Sequence, residues 1–352
     1  MTRLSDRQLR RARASAHWLT GRVRRGAPDV VRHLLAVQAQ DIGSAPLGLR
    51  ARATGLTAAD VAAARHDRSV VRAWGPRGTL HLIAREDLGW LTSLVRRTSV
   101  THVMTRLRQE GITGEVADLL SATEVALAGQ GPLTKAQVGT RLARRGVDAH
   151  GQAIVYLAFL ACLHGRAVLG PDAGNKPTYV HAADWLGDVI RPERDADRAL
   201  AELARRYLVA RGPAGPEDLA AWTKLPLRDA RSAFRLAADD LREVETSTGP
   251  MWCLRRPAPG RAAPLRLLPA FDEYLLSWRD RGLVLPERYA KRVCPGGGVI
   301  RPVVVVDGTV VGTWRQGTGA VELFGDAPAG ALRRETADAA RFLAAPKGTA
   351  VA

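Results

Sequence analysis

The order helix, turn, helix, strand, polar loop, strand recurs along this chain, and such an order leaves few folds open. It is clearest between Thr134 and His181. Thr134 caps a helix running to about Arg145, Gly146 turns the chain, and an apolar helix covers His150 to Leu163. A strand from Arg166 to Leu169, a polar loop from Pro171 to Lys176 and a returning strand from Pro177 to His181 complete the set. The order repeats with helices around Pro216 to Thr223 and Leu227 to Leu241, then strands at Arg242 to Thr246 and Met251 to Arg255. An earlier version opens with Ser5 and Gln8 as a capping box and a buried face at Leu9, Ala12, Ala16, Leu19 and Val23. A second helix is expected from about Pro28 to a pair of glutamines, a third from Thr57 to Arg65, and a strand ending near Ile83 after the break at Gly75-Pro76. This is winged helix-turn-helix order.

Beyond a Pro/Arg/Ala linker from Arg256 to Pro264, strands take over. Asp307-Gly308 between two β-branched runs is a hairpin signal, Gly296-Gly297-Gly298 a flexible loop. A strand from Ala320 to Phe324, a helix near Ala331 to Ala344 and a tail fraying from Pro346 end the chain. The expected fold class is therefore α+β, mainly α. Three tandem winged helix-turn-helix units occupy residues 1–110, 111–192 and 193–256, and a β-rich C-terminal region follows at 257–352.

Charge narrows the partner. The formal net charge is +17, and residues 1–110 carry 20 arginines against 8 acidic residues. A basic N-terminal third points to a polyanion, nucleic acid first. The arginine stripe Arg228, Arg231 and Arg235 fits that reading, and equally a solvated helix face. Cys162, Cys253 and Cys294 lie far apart without C-x-x-C spacing, so they read as buried thiols of a reducing cytoplasm rather than zinc ligands or a disulfide frame. The longest apolar run, Ala153 to Leu163, is 11 residues, too short to span a bilayer. The N-terminus opens straight into an amphipathic helix with no signal-peptide pattern. A monomeric, cytoplasmic, nucleoid-associated protein that avoids membranes is expected.

Nucleotide-cofactor and metal motifs are missing: no Walker or dinucleotide glycine spacing, no G-x-S-x-G, no H-E-x-x-H. No cofactor and no metal are expected. Asp272-Glu273 is the best-placed carboxylate pair, but adjacent residues diverge on helix or strand, so it reads mainly as a helix start and structural contact. The unusual stretch is Leu34-Leu35-Ala36-Val37-Gln38-Ala39-Gln40-Asp41. Val31, Leu34 and Leu35 make a helical stripe that Gln38 continues, with Gln40 turned about 200° away at the helix end. A carboxamide there offers a donor and an acceptor without charge.

In this order, several segments resemble the AlkZ/YcaQ-like winged-helix DNA glycosylases, which remove bulky alkylated purines and unhook interstrand crosslinks. Gln38-Ala39-Gln40 resembles the family's catalytic Gln-apolar-Gln element, and Arg77-Gly78-Thr79-Leu80-His81 its Arg-Gly-Thr-Leu-His segment. Leu268-Pro269-Ala270-Phe271-Asp272-Glu273-Tyr274, Arg301-Pro302, and Val305-Val306-Asp307-Gly308 through Arg315 resemble its C-terminal signature. The likeness spans roughly residues 5–325, and Gln40, where the YcaQ branch carries Asp, favours the AlkZ-like branch.

The resemblance implies a monofunctional glycosylase that hydrolyses the N-glycosidic bond of N7-alkylated purines in double-stranded DNA, in repair or in self-resistance to a DNA-alkylating natural product. It implies Gln38 and Gln40 as catalytic, a C-shaped basic DNA-binding surface, and a β-hairpin probing the duplex, at Asp307-Gly308 or in the Gly296 to Arg301 loop. Arg77, His81, Arg301 and Arg315 are the candidate DNA-binding residues. A non-catalytic winged-helix regulator, or a silent paralogue that only shields lesions, stays open. Three units in one chain already make a surface without dimer symmetry, and the intact glutamine pair disfavours the silent form.

Overall fold

The computed structural model describes residues 2–174, 176–255 and 260–344. Asn175 in the 171–176 loop, residues 256–259 of the linker and the tail from Pro346 lie outside the described residues. The protein is α+β and divides into two compact units, residues 1–64 with 200–352, and residues 65–199. The division falls inside the expected 1–110 segment, and residues 200–256 share a unit with 257–352.

In the 65–199 unit, Thr134 caps the helix Lys135–Ala143 through a capping box with Gln137, and Gly151–Leu163 follows it. The two helices approach closely: a Cβ at Gly139 would meet Ile154 Cδ1 at 2.6 Å. Strands Ala167–Leu169 and Thr178–His181 then run antiparallel, and Leu133–Thr134 pairs with the second. The hairpin Val70–Trp74 and Leu80–Ala84 joins the same sheet, with Arg72 opposite Leu169. Almost every residue of that hairpin is buried, so it needs cover on both faces and a partner at its edge. Helices Leu88–Gln109 and Val116–Leu127 complete a core around Val103, Leu107, Leu127, Leu142, Leu157 and Leu160.

In the other unit, Ser5 and Gln8 form the expected capping box on the helix Asp6–Ala16. Helices Pro216–Thr223 and Leu227–Leu236 precede the strands Leu241–Thr246 and Gly249–Leu254, to which Thr2–Arg3 adds in parallel. A second, antiparallel sheet runs Arg266–Leu268, Val303–Val306, Thr309–Trp314, Val321–Leu323. Its hairpin turns at Asp307 (φ 46°) and Gly308 (φ 77°), the left-handed pair a two-residue turn requires. Arg11 grips the Asp307 carboxylate at 2.9 Å, Arg10 donates to its carbonyl and Tyr274 to that of Gly308. This turn is therefore fastened to the first helix. The helix Ala329–Ala344 is tied to Ala45–Arg52 by Arg50, which reaches Glu335 at 2.9 Å and Asp338 at 2.8 Å.

Two local expectations fail. The second helix stops at Leu34, four residues before Gln38, and a further helix, absent from the expected order, forms at Ala45–Arg52. Pro46 stands in its first turn, where the missing N–H costs nothing. Gly48 lets it press against the 269–273 segment, since a Cβ there would meet Asp272 Oδ2 at 3.2 Å.

One buried and one half-buried histidine make the fold sensitive to mild acid. His33 stacks on Trp18 at 3.6 Å and bonds to the Ala16 carbonyl; burial pushes its pKa down to about 4, with Arg211 and Arg52 adding to the effect. His17 is held well below the usual histidine range by burial and then by Arg52 and Arg211. Below pH 6.5 the unfolded chain takes up protons that the folded chain refuses, so stability should fall as pH drops from 6.5 towards 4. His33 alone accounts for about 3 kcal/mol of that loss. Urea midpoints measured between pH 4.5 and 7.5 should show the slope, and His33→Phe should flatten it.

Candidate active site

Leu34, Leu35 and Ala36 are fully buried, yet the helix does not run through them. Leu35 takes φ 67° and ψ −47°, and the Ala36 N–H bonds back to the Leu34 carbonyl at 2.8 Å. This is a γ-turn of the strained kind, costing about 1–3 kcal/mol at a residue with a side chain. The chain leaves it as the short strand Val37–Gln38. Gln38 is half-buried, Ala39 buried and Gln40 exposed, the alternation of an extended segment. The expectation of a helix carrying both glutamines is thereby corrected: Gln38 stands in a short strand and Gln40 two residues on at a bend.

Beneath this segment lie two buried ion pairs. Asp272 caps the short helix Glu273–Leu276 by accepting from the Tyr274 N–H at 2.9 Å, and its carboxylate takes a two-pronged grip from Arg52 at 2.8 and 2.9 Å. Glu273 accepts from the Gln38 N–H at 2.9 Å, Arg211 Nη2 at 2.8 Å and Trp222 Nε1 at 3.1 Å. Arg211 Nη1 also donates to the Leu34 carbonyl at 2.9 Å. Arg52 can only donate, so His17 Nδ1, 3.3 Å away, is the acceptor, and the proton on Nε2 goes to Ser277 Oγ at 3.0 Å. Phe271, just before the pair, sits at φ 55°.

Gln38, Ser44, Gly48, Phe271, Asp272 and Glu273 are among the residues lining a crevice of about 10 Å³, which is room for about one water molecule. A larger cleft of about 610 Å³ opens between Asp41, Arg301, Thr313, Arg315, Gln316 and Glu322. Side chains join crevice and cleft. Ser44 Oγ donates to Asp41 Oδ2 at 2.7 Å, Gln316 Nε2 to Ser44 Oγ at 3.1 Å, and Gln316 Oε1 accepts from the Ala270 N–H at 2.8 Å.

A family model described as "DNA glycosylase AlkZ-like" matches residues 31–345. The chain belongs to the AlkZ-like DNA glycosylase family. It is 31% identical over 325 residues to an interstrand DNA cross-link repair glycosylase of Streptomyces sahachiroi, covering 88% of this chain and 87% of that protein. The solved structure of the S. sahachiroi DNA glycosylase AlkZ matches with a TM-score of 0.83 and 28% identity, covering 97% of each chain. Among the described residues no helix is long and apolar enough to cross a membrane.

In this AlkZ-like glycosylase, Gln38, Gln40, Arg301 and Arg315 fall in one unit, with the two arginines exposed on the cleft that Asp41 shares. Arg77 and His81 belong to the other unit. Arg77 is half-buried at φ 63° in the turn Pro76–Gly78. His81 is wholly buried, its Nδ1–H bonded to the Thr79 carbonyl at 2.9 Å, and a Cβ at Gly75 would strike its ring at 2.8 Å. The imidazole thus lies inside the turn, against Gly75.

Arg211, Trp222 and Gln316 carry no sequence signal, because each is a lone residue whose partners lie far away in sequence, and Ser44 pairs locally with Asp41 but also with the distant Gln316. Removing one partner of the Arg52–Asp272 pair leaves a buried charge, so Arg52→Met or Asp272→Asn should each cost about 3–5 kcal/mol. Arg52→Met combined with Asp272→Asn should cost less than the sum, read by chemical denaturation as a double-mutant cycle.

Proposed function

We propose that this glycosylase hydrolyses the N-glycosidic bond of N7-alkylated purines in duplex DNA, bulky guanine adducts and interstrand crosslinks included. Gln38 and Gln40 together hold the attacking water. The observation that carries this reading is a crevice sized for about one water, lined by Gln38 above carboxylates already committed to arginines. Alkylation at N7 makes the base cationic and a good leaving group, so no acid need protonate it. What remains is to orient water against a sugar of oxocarbenium character. A carboxamide does this by accepting one hydrogen bond and donating another. Among the described residues no lysine lines crevice or cleft, which supports hydrolysis without a lyase step.

The name of the S. sahachiroi relative supports crosslinks as substrates and a role in repair; self-resistance to an alkylating natural product is the further setting proposed. The helix-turn-helix segments at 134–181 and 216–254 serve as winged helices on the DNA, as does the N-terminal one. With the Asp307 turn fastened, the loop from Gly296, carrying the exposed Val299, is the better candidate for probing the duplex.

A duplex containing one N7-methylguanine, followed by alkaline cleavage of abasic sites, tests the reaction. Wild type should release the base, and Gln38→Ala/Gln40→Ala should slow release by about 100-fold or more. Unchanged release in the double mutant would remove the glutamines from the mechanism; wild-type failure on both methyl and bulky N7 adducts would remove the substrate class.

Arg301 and Arg315 are proposed to bind phosphates on either side of the lesion. Each change to Ala should weaken duplex binding across sequences and reduce the slope of log K against log salt by about 0.9. Titrations at several salt concentrations check this; an unchanged slope would make both arginines structural.

A further inference from the structure

We propose that Arg211, Glu273 and Trp222 are positioning residues for excision: a buried clamp that fixes the main chain carrying Gln38 and Gln40 without touching DNA. The proposal rests on the reading of the two glutamines as the water-binding pair. Its basis is a closed circuit of bonds around the strained turn. The Leu34 carbonyl is held by Arg211 Nη1, Arg211 Nη2 by Glu273 Oε2, and Glu273 Oε1 holds the Gln38 N–H. Leu35, at φ 67°, lies inside that circuit.

Local support for the turn is limited to the Ala36 N–H bond to the Leu34 carbonyl and the Leu35 N–H bond to that of Arg32, set against its backbone strain. The preceding apolar run favours continued helix, and the strand beyond is only Val37–Gln38. The clamp is itself rigid. Trp222 lays its ring 4.1 Å from the Arg211 guanidinium carbon while its Nε1 bonds Glu273 Oε2. Both charges are essentially inaccessible to solvent, with side-chain exposures of 0% and 1%. A buried ion pair of this kind adds little stability over an apolar pair of equal volume. Its placement across the turn is explained better by geometry than by stability.

Charge and acceptor count give a selective perturbation. Glu273 accepts from three donors reaching both of its oxygens. Glu273→Gln keeps the shape but has a single oxygen, so its amide must face either the Gln38 N–H or the Arg211–Trp222 side as donor against donor. Trp222→Phe keeps the ring over Arg211 and removes one bond to Glu273. Glu335→Gln is the control: a buried carboxylate of the same unit, paired with Arg22 and Arg50 and with no bond to the glutamine segment.

Single-turnover release of N7-methylguanine, duplex affinity, melting temperature and deuterium uptake of the 35–40 peptide are measured on all three and on Gln38→Ala/Gln40→Ala. The expected result is that Glu273→Gln slows release by about 100-fold while affinity changes less than about 3-fold. Deuterium uptake at 35–40 rises, Trp222→Phe shows the same pattern more weakly, and Glu335→Gln lowers the melting temperature without slowing release. Equal slowing in Glu335→Gln, or affinity falling in step with rate, would overturn the proposal in favour of a structural role. Unaltered uptake in Glu273→Gln, or in Trp222→Phe should the first variant not fold, would overturn the clamp itself. Normal release by the double glutamine variant, with uptake still raised in Glu273→Gln, would overturn the reading beneath the proposal and leave the clamp as geometry alone.

Discussion

The site-bearing unit depends on one dipeptide, Asp272-Glu273, taking two guanidinium groups out of water. Adjacent side chains diverge, so Asp272 reaches Arg52 on the helix Ala45–Arg52 while Glu273 reaches Arg211 at the end of Ala196–Arg211 and the main chain of Gln38. Three segments distant in sequence are thus joined at one point. Burial of each ion costs several kcal/mol, and the arrangement is tolerable because the carboxylate oxygens are met by multiple donors. Asp272 takes two bonds from Arg52 and one from Tyr274 N; Glu273 takes bonds from Gln38 N, Arg211 and Trp222. Such a network tolerates the loss of a member poorly, because the partner left behind remains a charge in a dry interior.

That long-range tie also explains what could be read from the sequence. Elements with a local cause were legible. The Ser5–Gln8 box, the Thr134 cap and the Asp307-Gly308 turn each carry their signal within four residues, and each appears in place. The end of the second helix was not, because the run from Val30 to Leu35 continues a helical period with no glycine or proline to stop it. The stop comes from outside, through Arg211 on the Leu34 carbonyl. The partnership of the 70–84 hairpin was hidden for a similar reason. Its near-continuous burial is compatible with any sheet that can cover both faces, and only the pairing of Arg72 with Leu169 selects one.

The site shows the same division. Two carboxamides around a small residue stood out against an apolar stripe, and Ala39 between them is indeed the buried one. Their secondary structure differs from the helix expected, Gln38 standing in a strand and Gln40 at a bend. Arg301 and Arg315 could be picked because they flank the hairpin segment, and the cleft brings both to one opening with Asp41. A histidine after a glycine-rich turn reads alike whether it faces DNA or fills the space above Gly75, and the packing of His81 against Gly75 carries no sequence signal. Gln316, which wires the cleft to the crevice through Ser44, carries no sequence signal, being a single polar residue in a surface loop.

Charge placement bears on selectivity. Each carboxylate under the crevice is matched by a guanidinium, so the floor carries local dipoles and little net charge, and on the proposed reading that is what a sugar placed there would meet. Such a floor offers less help to a developing oxocarbenium ion than a free carboxylate would, and the deficit must be met by the leaving group. An undamaged purine would need a proton on its base to leave. The imidazole in the network beneath, His17, is held neutral by burial and by Arg52 and Arg211, and its one proton is engaged with Ser277. An N7-alkylated purine arrives already charged and requires neither. On the proposed reading, discrimination between damaged and intact DNA follows from the substrate's own charge, and Gln38 and Gln40 need only place a water where that charge has already weakened the bond.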